Sequence, residues 1–332
     1  MSRLEDVARA AGVSKATASR AFVHPELVAE PTRKRVLDAA TALRFEPNRA
    51  ARALTTGRSG LIGLIVPTLA NPFFAPLLAG AQRGAEDIGG NLLVTVSDHS
   101  AQREARLFER LAEQVDGFIV VTPLSANETI RRLSQARPVI LIDRKVPRVP
   151  SVVIDTVGGV GILVEHLLQL GHERIAYVAG PPGSWVDTQR RRELTARLAR
   201  VGARPVVLSP LPPTFDAGIT AAAQLPAGVT AVIVYNSYVA LGLLHALAAA
   251  GVRVPEDLSL ASLDDLIPLG STTPAITALE VPLDEAGRLA ITHLHSAIAG
   301  ERPRSTTLPT RLLVRASTIA RPSPQRASTE RG

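Results

Sequence analysis

The fold class this sequence predicts is an N-terminal all-α helix-turn-helix domain followed by an α/β body of two doubly wound parallel-sheet subdomains. Three observations carry that reading. Apolar residues recur at helical spacing near the amino terminus. Short, unbroken apolar runs alternate with helical patterns from Leu61 onward. The charge divides at the same place, with 11 Lys and Arg against 6 Asp and Glu over residues 1–58, and 22 against 23 over residues 59–314. A chain of 332 residues holds two domains or more at roughly 100–200 residues each. With 46% apolar and 20% charged residues it has the composition of a folded chain.

In the amino-terminal module Leu4, Val7, Ala8 and Ala11 fall at i, i+3, i+4 and i+7, the stripe of an amphipathic helix. Gly12 suits a left-handed helix stop, and Ser14 offers an N-cap for a second helix. There Ala18, Ala21 and Phe22 share one face, while Lys15, Ala16, Ser19 and Arg20 share another. A third helix is expected over 32–43, with Pro31 near its start and Val36, Ala40 and Leu43 on its inner face. Two short helices joined by a tight turn and braced by a third make a helix-turn-helix unit.

The body offers strands at 61–66, 92–97, 118–121, 139–143, 152–154, 175–179, 205–208, 231–235 and 258–263. Helical patterns near 73–88, 101–114, 157–170, 188–201, 237–250 and 283–299 separate most of them. Such alternation with continuously apolar strands implies parallel sheets covered on both faces. The uncharged stretches 61–81 and 229–252 are interrupted by three prolines and by Asn236, Ser237 and His245, so they read as strand-then-helix units rather than membrane spans. The start MSRLEDVARAAG has no apolar run behind its charges, and zero cysteine excludes disulfides, Cys-ligated zinc and a cysteine nucleophile. A cytoplasmic location without membrane partners is expected.

Ligands of doubly wound folds bind at the carboxyl ends of strands, and with two halves the cleft between them is the place to look. Asn71, Phe73 and Phe74 follow the first strand. Asp143 and Arg144 end VILID, Asn236 ends AVIVY, and Asp264 and Asp265 end LSLASL. Carboxylates, amides and aromatic faces together suit a polyhydroxylated or similarly polar small molecule.

EDVARAAGVSKATASRAF, followed by LVAEPTRKRVLDAATALRFEPNRAARAL, resembles the DNA-binding region of the LacI/GalR (lactose-repressor) family. ANPFF, VDGFIV, LGHERIAYVAG and VRVPEDLSLASLDD extend the resemblance through the body, whose expected fold is periplasmic-binding-protein-like. The resemblance implies that Lys15, Ala16 and Arg20 meet base edges, where Arg20 can make a bidentate contact with guanine. It implies that Ser14, Thr17, Ser19 and Asn48 position the module on the DNA backbone. The stretch 47–56 matches the family's hinge helix. Leu54 stands at the leucine that wedges between base pairs, flanked by Arg49 and Arg52. Family ligand contacts carry over onto Phe73, Phe74, Asp143, Arg190, Asn236 and Asp264. Departures include Ser237 where relatives place Asp, Glu193 in place of Gly, and Val281 where a polar contact is common. The usual stacking aromatic falls near Pro213, with Phe215 two residues away; Trp185 offers either a stacking face or a packing residue.

Other chemistry is weakly signalled. DTVGGVG and AGPPG form neither G-x-G-x-x-G nor a GKS/GKT loop, and there is no G-x-S-x-G elbow. His293 and His295 do not share a helix face, so no metal site is expected. The reading requires no cofactor or catalysis. It makes residues 1–46 the DNA-binding domain, 47–58 a hinge, 59–314 a two-lobed ligand-binding and dimerisation domain, and 315–332 a flexible basic tail. The partners it implies are double-stranded DNA with a near-palindromic operator, a small-molecule effector and a second copy of the chain. The rival reading is a soluble sugar-binding receptor with no DNA role.

Overall fold

A computed structural model describes residues 3–23, 27–45, 58–265 and 267–321. The amino-terminal module consists of α1 (Leu4–Ala10), α2 (Lys15–Val23) and α3 (Glu30–Ala42). Val7, Ala8, Ala11, Ala18, Ala21, Val36 and Ala40 form its core. Small side chains let the helices pack closely, and Phe22 closes one edge against Phe45 at 5.7 Å between ring centroids. Gly12 turns the chain between α1 and α2 at φ +63°, a conformation that a Cβ disfavours. The Ser14 hydroxyl then accepts the Thr17 N–H at 3.1 Å, capping α2 as expected.

The first lobe contains β1 (Leu61–Val66), α4 (Phe74–Asp87), β2 (Asn91–Val96), α5 (Ala101–Leu111), β3 (Gly117–Val121), α6 (Asn127–Ala136), β4 (Val139–Ile142) and β5 (Ser151–Ile154). The chain crosses into the second lobe with α7 (Thr156–Gln169), β6 (Ile175–Val178), α8 (Trp185–Ala199), β7 (Val206–Leu208), α9 (Phe215–Gln224), β8 (Ala231–Val234), α10 (Ser237–Ala249), β9 (Ser259–Ser262) and β10 (Thr277–Glu280). It returns for α11 (Leu283–Ile298) and β11 (Thr306–Leu308), then ends on β12 (Arg311–Leu313) in the second lobe. The strand orders are β11-β5-β4-β3-β1-β2 and β12-β10-β9-β8-β6-β7. The first sheet is wholly parallel, and the second is parallel except for β12 on β10.

Each sheet buries both faces. Ile119 and Ile140 face one layer of the first lobe while Phe118 and Leu141 face the other; Val232 and Ile233 divide the same way in the second. The sequence alternation anticipates nine of these strands to within a residue or two. It misses β10, β11 and β12, because TALE, TTL and RLL carry Thr, Glu and Arg instead of an apolar run. It also misses α6 and α9. Ser184 starts α8 at Trp185, earlier than position 188, by accepting the Asp187 N–H.

Residues 315–321 depart from the expected flexible tail. Ser317 is fully buried, accepts from Thr277 N–H at 2.7 Å, and its N–H donates to the Ala275 carbonyl. Arg315 forks onto both oxygens of Asp265 at 2.7 Å. The backbone groups of this segment find partners only in the second lobe, so its polar composition is no sign of a free end. Residues 322–332 lie outside the described residues.

Candidate nucleic-acid interface and interlobe cleft

Ala18 and Ala21 turn inward on α2, so the helical period leaves Lys15, Ala16 and Arg20 exposed on the opposite side, with Ser19 half-buried beside them. Ser14 and Thr17 sit at the amino-terminal end of the helix, their hydroxyls 2.9 Å apart. Lys15 is held by Glu5 of α1 at 2.7 Å, and the ammonium keeps that carboxyl below its ordinary range. An exposed face with two cations, one small apolar residue and hydroxyls can meet both phosphates and base edges. Asn48, Arg49, Arg52 and Leu54 lie outside the described residues.

In the body, all seven residues expected at the cleft line one cavity: Asn71, Phe73, Phe74, Asp143, Arg190, Asn236 and Asp264. The first four come from the first lobe, on the loop after β1, the start of α4 and the end of β4; the last three come from α8 and the ends of β8 and β9. They meet because both sheets point their carboxyl edges at the same gap. Each is fixed locally. Asn71 Oδ1 accepts from Phe73 N–H at 3.0 Å, and Asn236 Oδ1 caps α10 through Val239 N–H at 3.0 Å. Asp143 Oδ1 accepts from Ile154 N–H at 2.8 Å, and Asp264 Oδ1 from Ser237 N–H at 2.7 Å. Phe73 and Phe74 stand edge to face at 5.3 Å.

Arg190 is the cavity's buried cation. Its Nε donates to Thr156 Oγ1 at 3.0 Å and a terminal nitrogen to the Tyr235 carbonyl at 3.2 Å, while its guanidinium lies 5.2 Å from the Tyr235 ring. Burial pushes the carboxyls of Asp143 and Asp264 up to about 6; the amides they accept from, and Arg190, act against that rise. One guanidinium thus accompanies two carboxyls that take up protons as pH falls through about 6, a set that offers both donors and acceptors to hydroxyls.

The cavity is also lined by His99, Thr122, Ser184, Tyr235 and Pro213, among others. Sequence reading passed over the first four, although His99, Thr122 and Tyr235 obey the same strand-end rule after β2, β3 and β8. The nearby aromatics lie outside this cavity: Phe215 packs on His245 at 5.8 Å, and Trp185 lines a different groove. Val281 packs on the first lobe's core. Asp265, the neighbour of Asp264, turns away to Arg315. The Gly-rich stretches serve packing: Gly180 gives room to the Tyr235 ring, and Gly159 to Leu279.

Residues 3–48 match the family described as bacterial regulatory proteins, lacI family, and residues 164–318 match the periplasmic binding protein-like domain. The HTH-type transcriptional repressor CytR of Escherichia coli (strain K12) is 30% identical over 330 residues, spanning 96% of this chain and 97% of the relative. The chain belongs to the lacI family. The ribose operon repressor of Halalkalibacterium halodurans is 29% identical across 96% of this chain and 97% of the relative. A crystal structure of the lac repressor dimer, bound to operator and the anti-inducer ONPF, superposes with a TM-score of 0.84 at 27% identity, over 96% of this chain and 99% of that one. This lacI-family chain is a DNA-binding transcriptional regulator, and the relatives named are regulators by description, not enzymes. No helix among the described residues is long and apolar enough to cross a membrane.

Proposed function

We propose that the chain is a dimeric cytoplasmic repressor whose operator affinity is set by a sugar or related polar metabolite bound between its lobes. The observation that carries this reading is the convergence of Asn71, Phe73, Phe74, Asp143, Arg190, Asn236 and Asp264 on one interlobe cavity. In this reading Lys15, Ala16 and Arg20 read bases, with Ser14, Thr17, Ser19 and Asn48 on the backbone. Residues 47–58 form the hinge, in which Arg49 and Arg52 flank Leu54, the minor-groove wedge. Paired modules occupy successive major grooves of a near-palindromic operator. The lac repressor structure that superposes on this chain is a dimer, which supports pairing of two copies.

The cavity encloses about 50 Å³, well below the roughly 300 Å³ lower bound of small-molecule sites. Admission of a ligand therefore needs the lobes to separate, and the segments that join them carry the movement. At that junction the Asp155 N–H donates to the Leu308 carbonyl at 2.8 Å, and Thr310 Oγ1 to the Asp155 carbonyl at 3.0 Å. A ligand that prefers one lobe angle biases the spacing of the hinges and hence the operator.

A thermal-shift screen of sugars, nucleosides and related metabolites identifies the effector by mass-action stabilisation. A mobility-shift assay with the gene's upstream DNA, run with and without that compound, then tests the coupling. The expected result is a retarded complex whose midpoint moves with the effector. No complex at low salt refutes the regulator and favours a binding receptor. Leu54→Ala should leave effector binding intact and weaken operator binding; unchanged DNA bending removes the wedge role.

A further inference from the structure

A second concavity, of about 1330 Å³, runs along the first lobe beside β4, β5 and the end of α11. It is separate from the cleft and exceeds the roughly 1,000 Å³ upper range of small-molecule sites. Its lining includes Arg137, Lys145, Arg148 and Arg302 against Glu301, and it ends on Trp185. Arg137 is engaged with the Ala112 carbonyl at 2.6 Å. Lys145, Arg148 and Arg302 are exposed and make no hydrogen bond or ion pair among the described residues. These charges gather on a body whose net charge over 59–314 is −1.

The turn that presents two of them is held rigidly. Val146 and Val149 are buried and bridge each other, which leaves Lys145, Pro147 and Arg148 facing solvent. Arg148 stands at φ +71°, where Gly or Asn is ordinarily found and a longer side chain is strained. Trp185, half-buried, opens α8, and its neighbours Ser184 and Val186 line the interlobe cavity. The groove therefore takes its aromatic end from the second lobe and its cations from the first.

We propose that this groove binds an extended acidic segment of a partner protein, with Trp185 as its apolar anchor. Lys145, Arg148 and Arg302 are exposed, so each is screened and contributes little alone, and a ligand carrying several carboxylates fits the set better than a single phosphate group does. The volume and the proline-rich wall (Pro138, Pro147, Pro150, Pro303) favour an extended chain over a compact ligand.

Trp185 is the sole tryptophan, so its emission reads the groove directly. A synthetic Asp/Glu-rich peptide containing one leucine is titrated into the full-length protein. The expected result is a saturable change in emission that weakens as salt rises. A combined Lys145→Glu, Arg148→Glu and Arg302→Glu variant should lose peptide affinity by roughly tenfold or more. Operator binding in the same samples stays intact, which keeps failure of the groove distinct from failure of the regulator. Arg148→Gly should weaken the peptide while keeping or raising the melting temperature, because glycine accepts the left-handed backbone. A silent titration, an undiminished affinity in the triple variant, equal binding of the Asn/Gln version of the peptide, or saturation of the signal by a nucleoside diphosphate instead of the peptide would each overturn the proposal.

Discussion

On α2, Lys15, Ala16, Ser19 and Arg20 come from neighbouring turns of one helix, and all but the half-buried Ser19 stand in solvent. In the cleft, Asn71, Asp143, Arg190, Asn236 and Asp264 come from distant segments of two lobes and are buried. The helix face works by charge that salt screens, and its geometry is complete once a single helix forms. The cleft works by desolvation, which raises the carboxyls of Asp143 and Asp264 to about 6. A regulator needs both. In the proposed function the helix face meets a charged, wet surface, whereas the cleft responds to the few hydroxyls of a polar ligand.

The largest test of this contrast is Arg190→Ala. It leaves the Thr156 hydroxyl and the Tyr235 carbonyl without their donor and removes a positive charge that acts against the burial of Asp143 and Asp264, and it should cost about 3–5 kcal/mol at pH 7.5 in urea unfolding, with loss of the effector response. The cost should shrink near pH 5, where both carboxyls take up protons. An effect as small as that of a surface arginine would break the account.

Asp143→Asn comes next, and its sign is opposite. The folded-state pKa of about 6 lies above the ordinary value, so ionised Asp143 destabilises the fold. The stability linked to its proton is complete below about pH 4 and is lost as pH rises through about 6. Asn keeps the acceptor for Ile154 N–H and tolerates the φ of +55° at this position. Stability at pH 7.5 should therefore rise by up to about 3 kcal/mol, and the part of the pH slope between 5 and 7 that Asp143 contributes should vanish. A loss of stability at pH 7.5 would contradict the burial argument.

Arg20→Ala should cost about 1–3 kcal/mol of operator affinity and relax the preference at one base pair, with thermal stability unchanged. Competition with single-base operator variants measures this. A uniform loss across all variants would make Arg20 a phosphate contact. The smallest effect is expected from Glu5→Gln, which frees Lys15 from its exposed ion pair. Operator affinity should rise slightly at low salt, and the gain should vanish at high salt.

Much of the cleft was legible because a strand end is a local signal. Asp143 and Asn236 each follow an unbroken apolar run, Asp264 follows the alternating LSLASL, and Asn71 comes after the first strand. His99, Thr122 and Tyr235 lie after strands too, but a lone His, Thr or Tyr draws less notice than a carboxylate. Arg190 was reached only through the family resemblance, since it sits inside α8 where an arginine reads as a solvated face. Whether Trp185 stacks on a ligand or packs was not legible, because an aromatic at the start of a helix says nothing about which way it turns.

Helix and strand periods follow from local sterics and from the segregation of apolar side chains, so the sequence alone settled the helix-turn-helix unit, nine strands and the parallel layers. Tertiary structure decided what those rules cannot reach. Leu260 N–H donates to the Ser317 carbonyl at 2.9 Å, and Asp155 N–H to Leu308, across more than fifty and one hundred and fifty residues of chain. Those bonds give β11 and the segment after β12 their places, though their own residues look like a polar tail. They form only after the lobes exist to supply the partners, because the gain from a distant hydrogen bond appears once chain closure has already been met.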